Sequence, residues 1–208
     1  MRKAFVLLTL FVLAITWQCS PYGEKIDTTA MVADSNAVPA PDSAYTYHLD
    51  YGKNPGLVGI YKVPSMLLLS VLDSARLSAL PEKVATNYRL LQDDIAKIGA
   101  EQANIAGQIV YAGDSSNFKF ECFSLLNRMP NKQPLYSKVV VLEAEQMLVF
   151  NHFGNYGQLP ATYASMLAYV KSHRLIQMGP FREYYLTDPT VEKDVKKWLT
   201  VVMLPVRK

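Results

Sequence analysis

Glu183 is the residue whose neighbours first suggest chemistry. It sits in the run Phe181-Arg182-Glu183-Tyr184-Tyr185. In an extended segment alternate side chains share a face, so Phe181, Glu183 and Tyr185 point one way and Arg182, Tyr184 and Leu186 the other. A carboxyl between two aromatic rings is either on a wet face, paired with a neighbour, or in a lined pocket. In a pocket an unpaired carboxylate costs roughly several kcal/mol, so the acid is held neutral, hydrogen-bonded or matched to a cation. Taken by itself, the pattern favours the exposed strand glutamate.

Tyr156 lies in the turn bracketed by Gly154 and Gly157. A tyrosine there offers a flat apolar wall with a hydroxyl tip for gripping a ligand, or it covers the start of the next helix. Tyr111 takes the position that matches Glu183 when Gly107 is laid on Gly179. It either faces Glu183 across a shared cleft or packs in the core. His152 has the proton chemistry of a general base, but the alternation of its strand sets it opposite Phe153 and favours a structural role. The sequence has 3 histidines, well separated, and 2 cysteines, Cys19 and Cys122. It has no CxxC, HExxH, GxSxG or phosphate-binding glycine loop. No metal, catalytic triad or nucleotide site is expected, and no cofactor.

The elements that must position these residues read as one unit used twice. Each unit opens with an apolar extended run, Leu57 to Leu72 and Val139 to Phe153. A Leu-Pro pair follows, Leu80-Pro81 and Leu159-Pro160, where proline suits the first turn of a helix. Leu80, Val84, Tyr88, Leu91, Ile95 and Ile98 form the apolar stripe of the first helix. Tyr163, Met166, Leu167 and Val170 form that of the second, which ends in the cations Lys171, His173 and Arg174. A glycine then leads into a strand (Gln108 to Ala112; Pro180 to Leu186), a turn (113–116; 187–190) and a closing strand (Phe118 to Leu126; Trp198 to Val206). The expected fold is α+β: a tandem β-α-β-β repeat, 57–130 and 138–208, with antiparallel sheets, two helices and a cleft between the repeats.

Upstream, Arg2 and Lys3 precede an uncharged apolar run from Ala4 to Trp17. That length suits a signal-peptide core and is short for a span, which takes roughly 20 apolar residues. Residues 1–18 are therefore expected to direct export to a bacterial cell envelope. Cys19 is the expected lipidation site, although Thr16 and Gln18 stand where a lipoprotein signal usually has leucine and a small residue. Residues 19–51, rich in Ser, Thr, Ala, Pro and Asp, read as a flexible tether to the domain at 52–208. Cys122, in an apolar stretch, reads as a small buried hydrophobe. With 50% hydrophobic and 19% charged residues the chain is globular, and a net charge of +3 gives no nucleic-acid footprint.

The second unit carries a family resemblance. His152-Phe153-Gly154-Asn155-Tyr156, the Pro160 helix, Gly179-Pro180-Phe181-Arg182-Glu183-Tyr184-Tyr185, Asp188-Pro189 and Thr200 to Pro205-Val206 resemble the GyrI-like domain. The same module serves as effector-binding domain in AraC-type and multidrug-responsive regulators. Asn155 departs from the pattern, which has proline there. The resemblance covers about residues 138–208; the first unit matches in layout. It implies a cleft between the repeats that binds small lipophilic and in some members cationic molecules, with a glutamate at the Glu183 position inside it. On that basis Glu183, Tyr156, Phe181, Tyr185 and Tyr111 are the expected ligand-binding residues. An alternative is hydrolysis of strained, cyclopropane-type compounds using Glu183 with Tyr156, as in the family's hydrolase branch. A protein-interaction module is a third reading. Export argues against gyrase as a partner, and the signal and tether leave no room for a helix-turn-helix segment.

Overall fold

The computed structural model describes residues 45–208, apart from positions 46, 53, 112 and 114. The export signal, Cys19 and most of the tether lie outside the described residues, as does part of the turn expected at 113–116. In chain order the elements are β1 (Gly56–Val63), β2 (Met66–Ala75), α1 (Leu80–Ile98), β3 (Gln102–Val110), β4 (Phe118–Leu126), β5 (Lys138–Leu142), β6 (Glu145–Phe153), α2 (Leu159–Ser172), β7 (Ile176–Gln177), β8 (Phe181–Tyr185) and β9 (Leu199–Arg207). Pro81 and Pro160 each fall in the first turn of their helix, where the missing N–H costs nothing. The first helix stops at Gly99, whose φ of 63° is the left-handed geometry of a helix C-terminus.

Among the described residues the fold is α+β: two α-helices on an open antiparallel sheet in the order β1-β6-β9-β8-β3-β4-β2-β5, with β7 paired to β9 off that path. Each opening run expected as one strand is two, because the backbone breaks at Pro64-Ser65 and at Glu143-Ala144. The halves then part company. β2 stays with the first repeat beside β4, while β1 crosses to pair with β6 of the second. Reciprocally, β6 joins β9, while β5 pairs with β2 of the first repeat. The repeats thus exchange their leading strands, and they meet where β8 pairs with β3.

Register decides the faces. Phe150, Val202, Glu183, Gln108, Cys122 and Val71 are successive partners across six strands, so their side chains lie on one side of the sheet. At one end of that side α1 packs Leu91, Ile95 and Ile98 on Leu67, Leu69, Phe120 and Leu126. At the other end α2 packs Met166 and Val170 on Leu148, Phe150, Val202 and Leu204. The central strands β3 and β8 are left as the floor between the two helices.

The opposite side carries Leu68, Ile109, Phe123, Val149, Tyr184 and Met203, covered by a strap at 47–51 with Leu49 buried in it. The end of the expected tether is therefore docked. Tyr47 donates to the Leu126 carbonyl and accepts from the Leu67 N–H at 3.2 Å, and Asn151 Nδ2 donates to the Gly52 and Asn54 carbonyls at 2.9 and 3.2 Å. The strap is tied to both repeats.

Candidate ligand-binding site

Glu183 stands near the middle of the helix-side floor and is only 3% exposed. Tyr163 reaches it from the start of α2 and donates its hydroxyl to Oε1; the Tyr163 ring stacks on Phe181 at 4.5 Å, which fixes its aim. Tyr185, two residues along the same strand face, donates to Oε2 at 2.5 Å. Tyr185 Oη also lies 3.2 Å from Oε1 of Gln108, the residue paired with Glu183 across β3 and β8. Phe181, Glu183 and Tyr185 thus share a face as their alternation predicts.

Tyr156 closes the open end. Its ring packs 5.1 Å from that of Tyr185 and 5.5 Å from that of Trp198, and at 37% exposed it is the most exposed ring of the group. Trp198 is fixed by donating Nε1–H to the Glu192 carbonyl at 2.9 Å. From the other side Tyr88 of α1 donates to the Gly107 carbonyl at 2.7 Å. Gly107 admits no side chain: a Cβ there would stand 2.2 Å from both the Glu183 carbonyl and the Phe123 ring. The backbone of the neighbouring strand and an aromatic ring meet at that point, so a glycine is required inside the strand.

Burial pushes the Glu183 carboxyl up to about 7, against the lowering effect of the Tyr185 hydrogen bond. Burial, and then the nearby Glu183, pushes the Tyr156 and Tyr185 hydroxyls up, Tyr185 far more. Tyr88 is also pushed well up, chiefly by burial. Cys122, on the floor beneath α1, is pushed up to about 12 by burial and is chemically quiet. Among the described residues no ion pair includes Glu183. No group of three or more His, Cys, Asp or Glu there is placed to hold a metal.

Tyr111 is not brought to Glu183. Its ring packs on the strap side of the sheet with Ile109, and its hydroxyl donates to Glu121 at 2.7 Å. The register explains this: the strand partner of Glu183 is Gln108, and Tyr111 lies three positions further, on the other face. His152 is buried with both ring nitrogens engaged, Nδ1 with Thr162 Oγ1 at 2.9 Å and Nε2 with the Asn155 carbonyl at 3.1 Å. Nε2 must donate to a carbonyl, so the ring ties the turn at Asn155 to α2. Tyr163, Gln108, Tyr88 and Trp198 complete the surroundings of the acid and were not among the expected site residues. Two surface depressions, ≈440 Å³ beside Tyr45 and Gln102 and ≈340 Å³ beside Asp73 and Lys119, lie away from Glu183.

An antiparallel sheet of two repeats, with a buried acid and aromatic rings between its two helices, defines a small-molecule-binding domain. The chain belongs to the GyrI-like family: the GyrI-like small molecule binding domain matches residues 85–207. Among solved structures the chain is similar to the C-terminal domain of EcmrR, with 17% identity over 72% of this chain and 96% of that one and a TM-score of 0.62. It resembles EcmrR in a DNA complex equally well, there covering 56% of the longer chain. A conserved protein from Listeria innocua is similar at 17% identity over 71% of this chain and 91% of that one, with a TM-score of 0.52. Among curated proteins none matches the chain.

Proposed function

We propose that this chain is an envelope-tethered binding protein that takes a lipophilic cation into the groove between α1 and α2, with Glu183 as its counter-charge. The observation that carries the reading is Glu183 itself, 3% exposed, without an ion pair among the described residues, and bordered by aromatic rings. An acid in that setting lacks the charge partner that would offset its burial, and a soft cation is the ligand that supplies one. Because the acid is covered, the ligand enters by displacing Tyr156, the exposed ring at the mouth. Export by residues 1–18, acylation of Cys19 and a membrane partner belong to this reading, and neither nucleic acid nor gyrase takes part in it.

The test is the thermal midpoint of the purified chain against lipophilic cations, neutral aromatics and cyclopropane-bearing compounds, with Glu183→Gln in parallel. A ligand that binds only the folded state raises the midpoint by mass action. A shift selective for cations and lost in Glu183→Gln is expected. No shift with any compound in a cooperatively melting protein would overturn the reading.

One observation favours hydrolysis as a second reading: an acid pushed up to about 7 can both give and take a proton at neutral pH. Turnover of a cyclopropane substrate, abolished in Glu183→Gln, would establish it. The hydroxyls bonded to the acid are those of Tyr163 and Tyr185, so they replace Tyr156 as the first partners to test.

A further inference from the structure

Protons can be counted around Glu183. Tyr163, Glu183 and Tyr185 form a row of three groups with two contacts between them. When Glu183 is ionised the row holds two protons, one from each tyrosine, and each fills one contact. When Glu183 is neutral the row holds three protons, and one must point out of it. At the Tyr185 end of the row the acceptor it meets is Gln108 Oε1, 3.2 Å from Tyr185 Oη. Gln108 is buried, so no bulk water substitutes for it. A primary amide serves either state: it accepts from Tyr185 through its oxygen, or turns over and donates N–H to the Tyr185 oxygen. A buried polar group left unpaired costs about 1–3 kcal/mol, so an amide here keeps both protonation states available.

Of the other titratable groups on this face, Tyr88 from α1, Tyr156 from the turn before α2 and Cys122 from β4 are each held in neutral form by burial, and His152 of β6, beyond Thr200, has both ring nitrogens engaged by Thr162 and the Asn155 carbonyl. The flanking β9 partners, Thr200 and Val202, do not titrate. Glu183 is the carboxyl on this face, and burial raises it to about 7.

We infer that Gln108 is a positioning residue that lets Glu183 change protonation state in place, so that a lipophilic cation enters the groove in exchange for one proton. The inference rests on Glu183 being the counter-charge of the ligand. The proton leaves the carboxyl for solvent, the cation takes its place, and the net charge of the buried group is the same before and after.

The experiment is calorimetric titration of the purified chain with tetraphenylphosphonium, whose charge is permanent and which has no exchangeable proton. Buffers of different ionisation heat then report the protons released by the protein. About one proton per cation is expected near pH 6 and close to none near pH 8.5, with affinity rising roughly tenfold per pH unit below pH 7 and level above it. In Gln108→Leu and the similarly long Gln108→Met, the neutral acid loses the acceptor for its third proton. Release near pH 6 should therefore fall to well under half, while binding near pH 8.5 persists. Binding by the native chain without proton release near pH 6 would overturn the exchange and leave the cation reading standing. Unchanged release in both Gln108 variants would remove the role of Gln108. No binding at any pH would overturn the cation reading and the exchange together.

Discussion

Asp94 and Glu183 are buried carboxyls, one in each repeat, and their surroundings treat them in opposite ways. Asp94, on the first helix, is 0% exposed. It accepts the backbone N–H groups of Leu135, Tyr136 and Ser137 at 3.0, 2.8 and 2.8 Å, and the Ser137 hydroxyl at 2.6 Å. Burial pushes it up, but these four bonds outweigh burial and hold it below the usual carboxylate range. Among the described residues Glu183 has two tyrosine hydroxyls and no backbone N–H as partners, and burial wins. Backbone donors cannot turn away and so fix the charged form. Hydroxyls can be donor or acceptor and leave the choice open. One acid fastens the loop before β5 to α1, and the other is free to answer a ligand or a proton.

Removing each acid should separate these roles. Asp94→Ala is expected to have the largest effect, a loss of about 4 kcal/mol in denaturant unfolding, because four donors lose their acceptor, the two of Ser137 in a buried setting. Cation binding by the folded fraction should survive; its loss would break the distinction. Glu183→Gln is expected to act with the opposite sign. Its carboxyl rises from 4.5 to about 7 on folding, so between those values the unfolded chain ionises while the folded chain stays neutral, and stability falls as pH rises. The variant should therefore gain stability on the order of 3 kcal/mol at pH 8 relative to the native chain, with the gain vanishing near pH 4.

The pH profile of the native chain sharpens the contrast. The contribution of Asp94 is present above its unfolded value of 3.8 and is lost as pH falls through its lower folded value, the reverse of Glu183. Gly107→Ala should cost about 2 kcal/mol by forcing Phe123 and the Glu183 carbonyl apart, at any pH. Tyr163→Phe should have the smallest effect, about 1 kcal/mol at pH 8, because it removes one donor from the ionised acid; a shift of the Glu183 titration to higher pH, followed by NMR, would check it.

The order strand–helix–strand–strand was legible because proline, the three-and-four-residue stripes and the turn residues act locally. So was the shared face of Phe181, Glu183 and Tyr185, which needs only alternation. The exchange of β1 and β5 was not, because both runs are mostly apolar and the identity of a pairing partner leaves no mark in such a run. Tyr111 was misplaced for a definite reason. Gly107 is a strand glycine required by the Phe123 ring, while Gly179 lies outside the strands beside Pro205. Laying one on the other equates two positions that do different jobs and shifts the register. Tyr163 was read as part of an apolar stripe, which it is; its hydroxyl reaches past that stripe, and a periodicity does not register the tip of a side chain. Tyr47 and Leu49 belonged to a segment read by composition, and a few anchoring side chains hardly change a composition.

The exchanged leading strands bear on how the chain finds its structure in time. β1 has its sheet partner in β6, and β5 has its partner in β2, so neither repeat can complete its edge while the other is unformed. Closing those pairings loops out most of the intervening chain before any contact rewards it, which slows folding and leaves few stopping points along the way. A chain of two independent repeats would fold and melt in halves. This one is laced so that both halves arrive, and fail, in a single step, which coincident unfolding curves from Trp198 fluorescence and from backbone circular dichroism would display.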